Sequence, residues 1–116
     1  MRNIFFFVVF VISTANSKAQ TWTPNQINSA NTAANADYMS DTEKDAIMYI
    51  NLARMYPKLY LKFELEHYFG TIESGDYLLN STYRKSLIGK LKSMKPVSAL
   101  MPDHECYESA KCFAQE

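Results

Sequence analysis

Residues 40–57, Ser-Asp-Thr-Glu-Lys-Asp-Ala-Ile-Met-Tyr-Ile-Asn-Leu-Ala-Arg-Met-Tyr-Pro, hold a helix start, a helical body and a stop in one continuous stretch. Ser40 is placed to cap the first turn. Glu43, three residues on, is placed to reach back to the Ser40 amide, and with Asp41 it puts negative charge where the helix dipole favours it. Pro57 ends the run. Between Ala46 and Tyr56 only Asn51 and Arg54 are strongly polar, so the predicted helix is apolar nearly all round, the pattern of an element with neighbours on more than one side. In such a setting an unpaired amide costs on the order of 1–3 kcal/mol and a charge more. Asn51 and Arg54 are therefore expected to be hydrogen-bonded structural residues.

Upstream, Met1 to Gln20 has the form of an export signal: Arg2, then nine consecutive apolar residues from Ile4 to Ile12, then small and polar residues. Nine is far short of the roughly 20 that cross a bilayer, and Ser17-Lys18-Ala19 offers small residues for cleavage after Ala19. The expected location is secreted or periplasmic, with no transmembrane segment after cleavage and no cysteine to carry a lipid anchor. Losing residues 1–19 leaves 97 and takes the balance from 12 basic and 12 acidic residues to 10 against 12. That charge gives no footprint for nucleic acid, and the length allows one small domain. Residues 20–39, rich in Asn and Ala without sustained periodicity, are expected to be a polar, mobile lead-in with Trp22 as its anchor. Tyr38 or Met39 is positioned to staple onto the first turn after Ser40.

After Pro57, Leu61, Leu65 and Tyr68 form one stripe and Lys58, Lys62 and Glu66 another, predicting an amphipathic helix up to Gly70, with a bend at Tyr56-Pro57. Residues 71–80 read as a loop. A third helix is expected over 82–94, its inner stripe Tyr83, Leu87, Leu91 and Met94. Its basic residues, with Lys95 just beyond, are Arg84, Lys85, Lys90, Lys92 and Lys95, with no acid between Asp76 and Asp103. Such a surface is either a solvated face or a contact for an anionic membrane or a protein partner. Asn80-Ser81-Thr82 is formally a glycosylation acceptor. Pro96 stops the third helix. A fourth begins near Pro102, with Cys106, Ala110, Phe113 and Ala114 on one side and no stop residue after them, so the helix is expected to run on into a longer domain.

His104, Glu105 and Glu108 sit at a helix start, but one histidine with one or two carboxylates is an incomplete zinc shell; a surface pair is the expectation, and His67 is isolated. Cys106 and Cys112, six apart on one helix, are separated by about 9 Å along its axis, beyond the roughly 7 Å that a disulfide tolerates. Cys106 is expected to be a small buried residue. No serine or cysteine nucleophile can be assigned, and Gly70, Gly75 and Gly89 frame no phosphate loop. The residues name no catalytic group and no cofactor.

The core Ile47-x-x-Ile50-Asn51-x-x-Arg54-x-x-Pro57 within Glu43–Pro57 resembles the first helix of CAP-superfamily domains, the secreted cysteine-rich and pathogenesis-related (SCP) proteins. Val97–Glu116 is similar to that family's approach to its second helix, with Leu100 in a short extended segment and Cys106, Ala110 and Ala114 at apolar positions. The resemblance implies the front part of an α-β-α sandwich, mainly α within residues 40–116; the alternative is a small all-α domain. It carries over only Asn51 and Arg54, as residues that tie the first helix to neighbouring backbone. Arg54 and Leu100 lie 46 positions apart, so residues 58–95 would be an inserted helical segment. The metal-binding cleft of some family members comes from later segments, so no metal is expected from these residues, and His67 and His104 match no cleft position. The implied function is a non-enzymatic extracellular module binding a ligand or partner, lipid and protein among them. The alternative is a small secreted helical protein that binds a membrane surface or protein through residues 82–94.

Overall fold

The computed structural model describes residues 21–68 and 79–115. The predicted export signal and most of the predicted loop fall outside these residues, as does the stop expected at Gly70. In chain order the helices are α1 (Pro24–Ala30), α2 (Asp41–Met55), α3 (Pro57–Tyr60), a π-helical turn (Leu61–Leu65), α4 (Glu66–Tyr68), α5 (Thr82–Ser93) and α6 (His104–Ala114). The described residues are mainly helical and include no β-strand. Residues 94–103 join α5 to α6 without regular secondary structure, and Met94 and Asp103 at the two ends have extended backbone angles.

Helix α2 has the ends its sequence predicts. The Glu43 amide donates to Ser40 Oγ, and the Ser40 amide donates to Glu43 Oε2 at 2.7 Å, closing the capping box. Tyr56, before Pro57, leaves helical geometry at φ −134°, ψ 56°, while its own amide still closes onto the Leu52 carbonyl. Proline at the first position of α3 lacks an amide that would have no helical partner anyway, so the chain restarts a helix after the bend. That restart is not one uniform helix. At Leu61–Leu65 the hydrogen bonding widens, with the Glu66 amide reaching the Leu61 carbonyl.

The lead-in departs most from expectation. Residues 23–39 are an ordered, packed part of the fold. Thr23 and Gln26 form a second capping box and Pro24 opens α1. Ala30 and Ala33 are fully buried and Ala36 nearly so. Side chains this small let α1 and the turns after it approach α2 closely, and alanine loses almost no side-chain entropy on burial. Trp22 does anchor the segment: its ring meets Phe63 edge-on at 5.0 Å and Tyr56 at 6.1 Å, and its indole N–H donates to Glu64. The sequence hid this packing because apolar periodicity is carried here by alanines alone.

Two further faces are turned from where the pattern put them. On α5, Leu91 is buried and Ile88 and Arg84 are half-buried, whereas Leu87 is 43% and Tyr83 85% exposed. The inner stripe therefore runs through 84, 88 and 91. On α6, Tyr107 is half-buried, while Cys106, Ala110, Cys112 and Phe113 are all exposed. Of the two residues expected to staple onto α2, Tyr38 packs on α6, with its ring 4.6 Å from His104 and 5.2 Å from Tyr107, while Met39 lines a hollow together with Ile47 of α2. Helix α2 also has fewer neighbours than its composition suggests. Asn51 and Leu52 are fully buried, but Tyr49 and Ile50 are 41% and 47% exposed.

Candidate functional site

The most densely bonded point of the molecule is the Asn51 side chain. It has no solvent exposure. Its Nδ2 donates toward the Ala30 carbonyl (2.9 Å), Thr32 Oγ1 (3.0 Å) and the Leu100 carbonyl (3.1 Å), while its Oδ1 accepts from the Leu100 amide at 2.7 Å. Two N–H bonds serve three acceptors, so one is shared. The exchange of both bonds with Leu100 imitates what a neighbouring strand would offer that backbone. Thr32 completes the knot by donating its hydroxyl to the Leu100 carbonyl at 2.6 Å. Three segments distant in sequence, 30–32, α2 and 94–103, meet at one amide.

One helical turn along α2, Arg54 makes the second attachment. Its Nε donates to the Ser98 carbonyl at 3.2 Å, and its own carbonyl accepts from the Val97 amide at 3.0 Å. Together the two residues hold residues 97–100 against α2. The bonds of Asn51 and Arg54 in this knot go to backbone and to the Thr32 hydroxyl.

The five predicted basic residues do not form one face. Arg84 turns inward and donates Nη1 to the Leu79 carbonyl at 2.8 Å, so it belongs to the packing of α5. Lys85, Lys90, Lys92 and Lys95 are exposed. Lys92 and Lys95 lie at the end of α5 and just past it. There they meet Lys58 of α3 around an open hollow of about 330 Å³, whose mostly apolar lining includes Met55, Leu59 and Met94. The sequence reading missed this hollow. Lys58 was legible only as part of an α3 stripe, and its proximity to Lys92 and Lys95 arises from the packing of α3 on α5.

A second open hollow of about 340 Å³ lies where the 100–103 segment passes α2, lined by Met39, Ile47, Met101, Cys106 and Tyr107, among others. The charged residue in its lining is Asp103. That carboxyl caps α6, accepting from the Cys106 amide at 2.8 Å, and this bond holds it below the ordinary carboxylate range. The same carboxylate raises the Cys106 thiol, the opposite of what a reactive cysteine needs. Cys106 is exposed, contrary to the expected burial, because Tyr107 occupies the inward position.

His104 and Glu108 are 3.8 Å apart on the α6 surface, and the His104 ring rests on Tyr38. His67 is exposed on α4. Among the described residues no three His, Cys, Asp or Glu side chains converge on a point where a metal ion could be held. No helix of the described residues is long and apolar enough to cross a membrane. Comparison with protein-family models, with curated proteins and with solved structures finds no match to this chain.

Proposed function

We propose that the chain serves as a secreted, non-enzymatic binding module of the CAP type, in which residues 40–116 form the front scaffold and Asn51 and Arg54 act structurally. The observation that carries this reading is the knot at Asn51. The N-x-x-R pair on which the resemblance rests is spent on the backbone of the segment ahead of α6, a use that fits a scaffold and leaves neither residue for chemistry. Apolar side chains left open on α2 and α6, Tyr49, Ile50 and Phe113, are in keeping with a sandwich in which further elements cover these faces.

The test is thermal unfolding of residues 20–116, followed by circular dichroism, beside a longer form carrying whatever coding sequence follows Glu116. A gradual melt in the shorter form, sharpened in the longer one, is the expected result. A sharp cooperative transition in the shorter form would overturn the reading in favour of a self-sufficient helical domain.

A second reading, binding to a membrane or protein through α5, is favoured by the exposure of Tyr83 and Leu87 beside Lys85, Lys90 and Lys92. It requires that anionic vesicles or a partner be retained by the intact chain and lost when Lys85, Lys90, Lys92 and Lys95 are replaced together.

A further inference from the structure

Of the two hollows, the one between α3 and α5 carries a ligand argument that does not depend on the family reading. Its walls are set by covalent constraint. Pro57 follows the break at Tyr56 and restarts the chain as α3, and Pro96 bars any further helix after α5, so two helix ends face each other across a gap. The Val97 amide bonded to the Arg54 carbonyl fixes the distance between those ends.

Its lining divides into two chemistries. Met55, Leu59 and Met94, all half-buried, give an apolar surface, and the flexible thioethers of the two methionines adapt to an alkyl chain. Lys58, Lys92 and Lys95 are exposed and have no ion pair among the described residues. Lysine stems extend an apolar wall while keeping the ammonium groups in water. Three such cations around one apolar lining complement a molecule with a hydrocarbon tail and an anionic head. The space lies near the lower end of the about 300–1,000 Å³ typical of small-molecule sites, which suits one short chain.

We propose that this hollow binds a free, single-chain anionic amphiphile, a fatty carboxylate of medium length, with its tail on Met55, Leu59 and Met94 and its carboxylate among Lys58, Lys92 and Lys95. The second hollow supplies the internal contrast. It is of similar size and equally apolar, but the charge in its lining is the Asp103 carboxylate, which repels the same ligand.

Methionine methyl resonances test this within the full chain, because Met55 and Met94 report the first hollow and Met39 and Met101 the second. Titration with decanoate, below the concentration at which it forms micelles, should shift Met55 and Met94 saturably and leave Met39 and Met101 in place. Decyltrimethylammonium, with the same tail and opposite charge, should bind at least about tenfold more weakly, and Lys58→Gln, Lys92→Gln and Lys95→Gln combined should weaken decanoate by about tenfold, a few-fold for each exposed charge. Added salt should lower decanoate affinity in the unaltered protein, a control that needs no variant to fold. The proposal is overturned by equal response of all four methionines, by equal binding of the two amphiphiles, or by affinity indifferent to both salt and the lysines. Retention on phosphatidylglycerol vesicles without any response to free decanoate would also overturn it, assigning the lysines to a membrane surface.

Discussion

Asn51 shows what one side chain can do when its donors and acceptor serve two backbone segments and a neighbouring hydroxyl at once. Truncating it to alanine leaves the buried Ala30 carbonyl and the part-buried Leu100 amide without their partner. The expected loss is on the order of 2–3 kcal/mol, or about 10–20 °C in melting temperature for a domain of this size. Asn51→Asp should be worse at neutral pH, because a carboxylate still accepts from Leu100 but sets a negative charge against the Ala30 and Leu100 carbonyls. If differential scanning calorimetry found Asn51→Asp as stable as the parent, the hydrogen-bond assignment would be wrong. Arg54→Ala should cost less than Asn51→Ala, since its guanidinium is only half-buried and the backbone bond from Val97 survives.

Two carboxylates make the fold acid-sensitive at this same scale. Glu43 is held below its ordinary range chiefly by the Ser40 amide, and Asp103 by the Cys106 amide. Folded values below the unfolded ones of about 4.3 and 3.9 mean that the contribution is complete above those values and is lost as pH falls through the lower, folded ones. Helicity should therefore decline below about pH 4. Glu43→Gln with Asp103→Asn keeps both caps, as Gln and Asn serve those positions, and should make the acid limb of a circular-dichroism titration shallower. An unchanged acid limb would remove these caps from the account of acid sensitivity.

At the scale of elements, α2 was the most legible because its signals are local: a capping box, a proline and an apolar body each act within a few residues. The same logic was present at Thr23-Pro24-Asn25-Gln26, a second capping-box pattern, yet the Asn-rich composition around it outweighed four residues of signal. The faces of α5 and α6 were misplaced for a different reason. A stripe of apolar residues gives a direction only when it is wide; here Arg84 and Tyr107, each with a polar tip and an apolar body, took the inward positions. Burial of Ala33 against a neighbouring element gives a direct check. Ala33→Leu should destabilise by about 1–3 kcal/mol through overpacking, whereas Ala34→Leu, one residue on and exposed, should be nearly neutral. Trp22 is the single tryptophan, so its emission reports whether the 21–39 segment is docked. Ala33→Leu should move it toward the solvent-exposed spectrum before α2 unfolds.

At the scale of the molecule, the buried apolar side chains among the described residues are few: Ala30, Ala33, Ala36, Leu52, Leu61 and Leu91. A core of that kind supplies little of the roughly 25 cal/mol per Å² that drives folding, so hydrogen bonds at Asn51 carry an unusual share of the specificity. The sequence alone determined where α2 begins and ends, because caps, prolines and charge near the termini act within one turn. It also marked Asn51 and Arg54 as residues in need of partners, since polar groups in an apolar run are rare enough to notice. It could not say which partners. Thr32, Leu100 and Ser98 are 19, 49 and 44 positions away, and only the closed chain brings them within bonding distance. The lysine-rimmed hollow is of the same kind: Lys58 and Lys92 become neighbours because α3 packs on α5, a relation set by tertiary geometry that no local pattern encodes.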